Sequence, residues 1–271
     1  MEPKPKAWER RYAEWFGDQA VVSNYRYRPP YSDEVFELLA ESAGGRAAAV
    51  LDAGTGPGDV ARPLARRVGR VDAVDLSPLM IEEARAREDG DRSNLTWIVG
   101  PVEEVELRGP YDLITAGDSI HWFDWQVAMP RFAELLAEHG QLALIAREWI
   151  TEAPVRDALF PVYDRFGANR DFRPADPITE LETRGLFEPI RRVTTKTVPW
   201  RPTLDELPGC NHSQNGFAPQ AMGESAAAAF DAAIKQLFAE LNRQGVVSMR
   251  DGRYHLDVQT HVVWGRPSGR P

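Results

Sequence analysis

The residues best placed for chemistry are three glycines and the acid that precedes them. Gly54, Gly56 and Gly58 follow an apolar run, residues 47–51, that ends at Asp52. Glycine is favoured where the backbone must adopt a left-handed conformation or lie close to a bulky ligand. The spacing is G-x-G-x-G rather than the G-x-G-x-x-G of dinucleotide enzymes. The pattern therefore favours an adenosyl ligand that carries an amino acid over one that carries a pyrophosphate.

A second acid, Asp75, ends a second apolar run. It lies 21 residues after Gly54, close to the ~20-residue spacing at which a carboxylate reaches a ribose hydroxyl in doubly wound folds. A helical pattern follows over residues 78–87. A glycine-rich turn beside an incidental surface acid would not predict this order of strand, acid and helix. We therefore expect Asp75 to hold a ribose, and a dehydrogenase is the less favoured interpretation of the glycines.

The elements that must position these residues alternate along the chain. The periodicity predicts strands at 47–52, 71–75, 95–99, 111–116 and 141–146, with helices at 33–43, 59–67, 78–87 and 127–138. Such alternation is typical of an α/β fold with a mostly parallel sheet and helices on both faces. Later elements are predicted as a helix at 154–166, a strand at 187–199, a helix at 226–244 and a strand at 254–264. Irregular lid insertions are expected at 148–187 and 200–224 because Pro, Gly, Asn and Arg are frequent there.

Length, charge and cysteine content narrow the class of protein. The 271 residues, 43% of them apolar, suit one domain with insertions rather than two independent domains. A net charge of −9 without a long basic run makes nucleic acid a poor partner. No apolar run approaches the ~18 residues that span a bilayer, the first 20 residues carry charges throughout, and the single Cys210 cannot form an internal disulfide. We expect a cytoplasmic protein with neither a membrane partner nor a metal site, and the oligomeric state is left open.

Four segments resemble motifs of the class I S-adenosylmethionine-dependent methyltransferases. Residues 51–58, L-D-A-G-T-G-P-G, match the first motif of that family, and residues 74–80 match its second-strand motif. Residues 25–31, Y-R-Y-R-P-P-Y, and residues 120–124, I-H-W-F-D, resemble segments of small-molecule enzymes similar to trans-aconitate methyltransferase. The resemblance implies a doubly wound, seven-stranded, Rossmann-like sheet with S-adenosyl-L-methionine as cofactor. It also implies a small-molecule acceptor that is methylated on oxygen or nitrogen.

The resemblance implies a set of cofactor-binding residues. Asp52 is expected to orient the glycine loop and attract the cofactor's ammonium, Asp75 to accept the ribose hydroxyls, and Arg28 to bind the cofactor's carboxylate. Pro101 stands where the family commonly has an acid beside the adenine, so the group that receives the exocyclic amine is left open. The complete prediction comprises Tyr25, Arg28, Asp52, Gly54, Thr55, Gly56, Gly58, Asp75, Leu76, Met80, Pro101, Val102, Glu103 and Asp118.

The acceptor is predicted to bind between the segment after the fourth strand and the second insertion. His121 is the candidate catalytic base, because imidazole titrates near neutrality. The alternative is that His121 only hydrogen-bonds a neighbouring loop, since methyl transfer between aligned groups needs no base. The predicted substrate-binding residues are Trp122, Trp149, Asn211, His212 and Ser213.

Three segments and two alternative functions complete the prediction. Residues 1–31, with their high aromatic content, are expected to form an N-terminal helical lid. Residues 32–147 are expected to form the cofactor-binding α/β core, and residues 148–271 the rest of the sheet with the substrate-lid insertions. The alternatives are a protein of this fold that uses the same cofactor for another activity, and a protein methyltransferase. A protein substrate would require an exposed groove in place of lid insertions.

Overall fold

The structure is a computed structural model that describes residues 4–268. The first three residues of the predicted lid and the last three of the C-terminal segment lie outside the described residues. The strands are β1 (Ala49–Ala53), β2 (Arg70–Asp75), β3 (Leu95–Val99), β4 (Tyr111–Gly117), β5 (Leu136–Glu148), β6 (Phe187–Thr194), β7 (Val198–Trp200), β8 (Ser248–Arg250) and β9 (Arg253–Pro267). The helices are α1 (Arg10–Ala13), α2 (Gln19–Asn24), α3 (Asp33–Ala43), α4 (Ala61–Ala65), α5 (Pro78–Ala86), α6 (Trp125–Leu135), α7 (Ala153–Phe166), α8 (Pro177–Thr183), α9 (Glu206–His212), α10 (Pro219–Met222) and α11 (Glu224–Arg243).

Seven strands form the central sheet in the order β3-β2-β1-β4-β5-β9-β6. Neighbouring strands from β3 to β5 are parallel, whereas β9 runs antiparallel to both β5 and β6. The short strands β7 and β8 pair with the first part of β9. The predicted doubly wound, mostly parallel, seven-stranded sheet is therefore confirmed.

The central strands are apolar along most of their length because helices cover both of their faces. On one face α3 and α4 pack against the sheet, and Leu39 and Leu64 are fully buried there. On the other face α6 and α8 contribute Phe132 and Leu181, which are also fully buried. Every strand that ends at the parallel edge is thus held between two apolar layers, which fixes the positions of the loops that follow the strands.

The two predicted lid insertions are more regular than expected. They contain α7, α8, α9 and α10. Pro177 and Pro219 occupy the first turns of α8 and α10, where proline favours a helix start rather than a loop. Helices α7, α9 and α11 share a core with the first part of β9, built around Leu159, Phe230 and Leu256. Helix α7 agrees with the helix predicted at 154–166, whereas α8, α9 and α10 lie where irregular structure was expected, so that expectation was wrong there.

Two element boundaries differ from the predicted ones for visible reasons. The single strand predicted at 187–199 is divided into β6 and β7, because the chain turns at Thr195, whose hydroxyl accepts the N–H of Thr260 at 3.1 Å. Strand β5 begins before residue 141 because Leu136 already pairs with Tyr111, ahead of a register shift in the β4–β5 ladder. Within residues 4–268, each helix is too short or too polar to cross a membrane.

Candidate active site

A cavity of about 870 Å³ lies at the carboxyl ends of β1 to β5. Ligands of open α/β sheets bind at this edge, near the point where the strand order reverses. Residues 4–31 contribute the opposite wall, which includes Lys4, Phe16 and Tyr25. The predicted cofactor residues meet here: all of them except Gly58 line the cavity.

The glycine loop begins where β1 ends. Gly54 and Gly56 have φ values of +66° and +54°, a region that side chains with a Cβ disfavour. A Cβ on Gly54 would lie 2.6 Å from the Cβ of Ser119. Gly58 has a φ of +78° as well, and a Cβ there would in addition lie 2.5 Å from the ring of Trp97; this glycine does not line the cavity. The motif spacing thus included one glycine that serves packing.

Asp52 anchors the start of this loop. Its carboxylate accepts hydrogen bonds from the hydroxyl of Thr55 at 2.5 Å and from that of Thr115 at 2.7 Å. Burial raises its pKa to about 6, although both hydroxyls favour the ionised form. These two hydrogen bonds tie the end of β1 to the glycine loop and to β4, so Asp52 fixes the shape of the loop.

Asp75 joins the loop to β2. One of its carboxylate oxygens accepts the N–H of Gly56 at 2.7 Å, and the other accepts the N–H of Ser77 at 2.8 Å. Burial raises the pKa of Asp75 to about 6. Each carboxylate oxygen has a second lone pair, so the side chain can accept two further hydrogen bonds from the cavity. Two free acceptor positions on one carboxylate fit the two vicinal hydroxyls of a ribose.

The next part of the cavity has apolar walls suited to a flat aromatic group. Leu76, Met80 and Val102 are apolar residues of the cavity lining. Pro101 and Glu103 also line this region. Glu103 is held in place because its carboxylate accepts the N–H of Asp124 at 2.8 Å. The apolar side chains fit a flat aromatic group such as adenine, and Glu103 supplies a carboxylate in the same lining.

Arg28 is a cationic residue of the cavity lining, held by aromatic rings and by Ser213. Its guanidinium stacks on the ring of Tyr25 at 3.7 Å and lies 5.3 Å from the centre of the Trp149 ring. It donates from Nε to the hydroxyl of Ser213 at 2.9 Å and from Nη2 to the carbonyl of Ser213 at 2.6 Å. Arg28 lines the cavity, whereas Trp149 and Ser213 do not.

A buried ionic cluster at the end of β4 and β5 was missed by the sequence analysis, apart from Asp118. Asp118 adopts φ +52° and accepts hydrogen bonds from Arg147 Nε at 2.7 Å and from the Tyr31 hydroxyl at 3.1 Å. Burial opposes ionisation of Asp118, but the Arg147 guanidinium outweighs it and lowers the pKa of the carboxyl. Arg147 also lies 3.8 Å from Asp59. One feature of the sequence could have indicated Arg147: it directly follows the apolar part of a predicted strand, at the edge where ligands bind.

The N-terminal helices are fastened to the rest of the molecule at two places. Lys4 donates from Nζ to the carbonyls of His121 and Phe123 at 3.0 and 2.9 Å, and burial lowers its pKa to about 8. On the other side, the carboxylate of Asp171 accepts the hydroxyl of Tyr12 at 2.8 Å. The segment after β4 and the first insertion therefore both hold this wall of the cavity.

His121 is not brought to the cavity. Its ring packs against Trp122 and Trp8, with ring centres 4.4 and 5.7 Å apart, and burial lowers its pKa to about 4. The imidazole is therefore neutral at pH 7. Trp122 does line the cavity, and its ring centre lies 5.5 Å from that of Phe16.

The predicted acceptor cluster in the second insertion also lies outside the cavity. Asn211, His212 and Ser213 are buried at the end of α9 rather than in an open polar loop. Asn211 accepts the hydroxyl of Tyr163 at 2.6 Å, and His212 lies 2.7 Å from the carboxylate of Asp231. The polar atoms of these three side chains are bonded to other residues of the protein, and none of the three lines the cavity.

Known proteins with similar sequences are methyltransferases by name. Residues 50–140 match the family described as a methyltransferase domain. The uncharacterized methyltransferase Rv3342 of Mycobacterium tuberculosis is 31% identical over 187 residues, which cover 67% of this chain and 68% of that protein. Methyltransferase cfoB of Aspergillus candidus is 29% identical over 194 residues, which cover 64% of this chain and 59% of cfoB. The chain thus spans about three fifths to two thirds of these relatives.

Two solved structures share the fold. A structure described as a Type II methyltransferase from Anaeromyxobacter dehalogenans has a TM-score of 0.63 at 22% identity, covering 90% of this chain and 99% of that one. A methyltransferase from Geobacter sulfurreducens in complex with S-adenosyl-L-homocysteine has a TM-score of 0.53 at 15% identity, covering 95% of this chain and 98% of that one. At these identities the likeness concerns the fold.

Proposed function

Because this chain belongs to the class I S-adenosylmethionine-dependent methyltransferases, we propose that it methylates an oxygen or nitrogen of a small-molecule acceptor. The observation that carries the proposal is the cavity, whose volume of about 870 Å³ lies in the range of small-molecule sites. S-adenosyl-L-methionine supplies a methyl group on a positively charged sulfur. The chain's own residues bind that cofactor, orient it and exclude water.

The lining residues support one orientation of the cofactor. Asp75 accepts the ribose hydroxyls, and Leu76, Met80 and Val102 enclose the adenine. The loop at Gly54 and Gly56 borders the methionyl group, with Arg28 at its carboxylate. Tyr25 lines the cavity and stacks on Arg28, which restrains the guanidinium.

The N-terminal wall supports a small acceptor over a protein. Residues 4–31 act as a lid whose closed form is held by Lys4 on one side and by Asp171 on the other. Trp122 and Phe16 pack edge to face between the lid and the segment after β4. A folded protein segment would have to displace these contacts to reach the methyl group, whereas a small molecule would not. Enclosure also removes bulk water from the site, which strengthens the electrostatic interactions within it.

Replacing His121 with alanine should lower kcat by much less than about 100-fold. Removal of a general base lowers the rate by about 100-fold or more. The neutral imidazole does not line the cavity, so alignment of acceptor and cofactor suffices. The measurement is kcat together with the affinity for S-adenosyl-L-homocysteine. Trp122→Ala serves as the matched control, because this neighbour lines the cavity and its loss should reduce turnover more. A kcat more than 100-fold lower in the His121 variant, with unchanged cofactor affinity, would indicate that His121 acts as a general base.

The acceptor class can be tested with S-adenosyl-L-methionine labelled in its methyl group. The protein is incubated with an extract of its host, and the products are separated into small molecules, proteins and nucleic acids. We expect label among the small molecules, and much less of it with the Asp75→Ala variant at the same cofactor concentration. Label on protein or nucleic acid would contradict the proposed acceptor class. A cofactor-dependent product without label would favour the alternative activity on the same fold.

A further inference from the structure

The guanidinium of Arg28 uses some of its N–H donors to bind Ser213 and keeps the others free for a ligand. A guanidinium carries five N–H donors in a fixed plane. Two of the donors, on Nε and Nη2, bond to the hydroxyl and carbonyl of Ser213 at 2.9 and 2.6 Å. Among residues 4–268, no carboxylate forms an ion pair with Arg28. The remaining donors, on Nη1 and Nη2, form an edge that matches the two oxygens of a carboxylate.

Ser213 is oriented to serve as an acceptor. Its hydroxyl donates its own proton to the carbonyl of Cys210 at 2.6 Å, which turns its lone pairs toward Arg28. The side chain is fully buried, so water does not compete for this bond. The N–H of Ser213 donates to the carbonyl of Gly209 at 3.1 Å, which fixes the backbone as well. Ser213 is thus held by the end of α9 on one side and holds Arg28 on the other.

The helix that carries Ser213 is itself pressed against the segment before Arg28. A Cβ on Gly209 would lie 2.6 Å from the ring of Tyr27 and 2.9 Å from Oδ1 of Asn24. Glycine therefore permits a close approach that a side chain would prevent. The stacking of Arg28 on Tyr25 at 3.7 Å fixes the plane of the guanidinium. Direction and plane of the guanidinium are both set before any ligand binds, which reduces the entropy that binding must offset.

We infer that Ser213 is a positioning residue that orients Arg28 toward the carboxylate of the bound methionyl group. This inference rests on the role of Arg28 in the proposed function. It gives the second insertion a part in cofactor binding instead of acceptor binding. The residue acts through Arg28 and touches neither cofactor nor acceptor.

The test compares two ligands that differ in the amino-acid part. S-adenosyl-L-homocysteine has the carboxylate, and 5′-methylthioadenosine keeps the adenosine and lacks the amino acid. Ser213→Ala removes the hydroxyl and keeps the carbonyl. We expect this substitution to lower the affinity for S-adenosyl-L-homocysteine by about tenfold and to leave the affinity for 5′-methylthioadenosine unchanged. In an Arg28→Met background, Ser213→Ala should have no further effect on either ligand.

Asn211→Ala provides a matched control from the same buried helix end. It removes the bond to Tyr163, so it should lower the temperature of unfolding while leaving the ratio of the two affinities unchanged. Equal weakening of both ligands by Ser213→Ala would show a purely structural role and overturn the inference. An unchanged affinity for S-adenosyl-L-homocysteine in Ser213→Ala, with a clear loss in Arg28→Met, would overturn the inference alone. An unchanged affinity in Arg28→Met would also overturn the assignment of Arg28 in the proposed function.

Discussion

Replacing Asp75 with alanine should weaken the binding of S-adenosyl-L-homocysteine by about a hundredfold or more. The carboxylate has lone pairs free for two ribose hydroxyls, and hydrogen bonds to charged groups contribute about 1.5 to 3 kcal/mol each. The variant also loses the bonds from the N–H groups of Gly56 and Ser77, which shape the loop beside the cofactor. Both effects act in the same direction.

Titration calorimetry measures this loss, and Asp72→Asn is a suitable control. Asp72 is a buried carboxylate of the same strand, but it accepts the hydroxyl of Tyr111 at 2.7 Å and does not line the cavity. The control should lower stability without changing the affinity. An Asp75→Ala variant that binds within about threefold of the native protein would show that the ribose is held elsewhere.

The same site should respond to pH in a defined direction. Burial raises the pKa of Asp75 to about 6, so the carboxyl gains a proton as the pH falls through that value. The ionised form accepts both hydroxyls, whereas a protonated carboxyl loses acceptor strength. Affinity for S-adenosyl-L-homocysteine should therefore fall from pH 7 to pH 5. This dependence should be weaker in Asp75→Asn, whose amide does not titrate in that range.

The cofactor-binding half of the site could be predicted because its residues belong to short, continuous sequence motifs. Asp52, Gly54 and Asp75 each stand at the end of an apolar run, and parallel strands bring their carboxyl ends to one edge. The alternation of helix and strand was enough to predict that geometry without knowledge of distant contacts. Gly58 shows the limit of the motif, because a matching glycine can serve packing against Trp97 as well as ligand approach.

The other half could not be predicted because its partners are remote in sequence. Arg28 meets Ser213, 185 positions away, and Asn211 meets Tyr163, 48 positions away. The run Asn211 to Ser213 has few apolar side chains, so its pattern indicated an exposed loop. In the structure these polar groups are buried because each finds a partner within the protein. Only the tertiary arrangement distinguishes a satisfied buried cluster from an open binding surface.

Replacing Arg147 with methionine should lower the free energy of unfolding by about 3 to 5 kcal/mol. The Arg147 side chain is 4% exposed, and it donates to Asp118 at 2.7 Å and to the carbonyl of Pro29 at 3.2 Å. Methionine fills much of the volume but leaves the carboxylate of Asp118, whose side chain is only 22% exposed, without its cation. Urea unfolding measures the loss. Arg156→Met is the matched control, because Arg156 is paired with Glu148 at 46% exposure and its loss should cost less than about 1 kcal/mol.

The dependence on pH separates a lost ion pair from lost packing. Arg147 holds the pKa of Asp118 below its ordinary value of about 4, against the effect of burial. This contribution to stability is present above the unfolded-state pKa and disappears as the pH falls through the lower, folded-state pKa. Without Arg147, burial instead raises the pKa of Asp118, so acidification should relieve part of the penalty in the variant. The difference between native protein and Arg147→Met should therefore narrow as the pH falls from 7 toward 4. A difference that stays constant over this range would mean that Arg147 stabilises the strand ends by packing and hydrogen bonds to Pro29, and not through its charge.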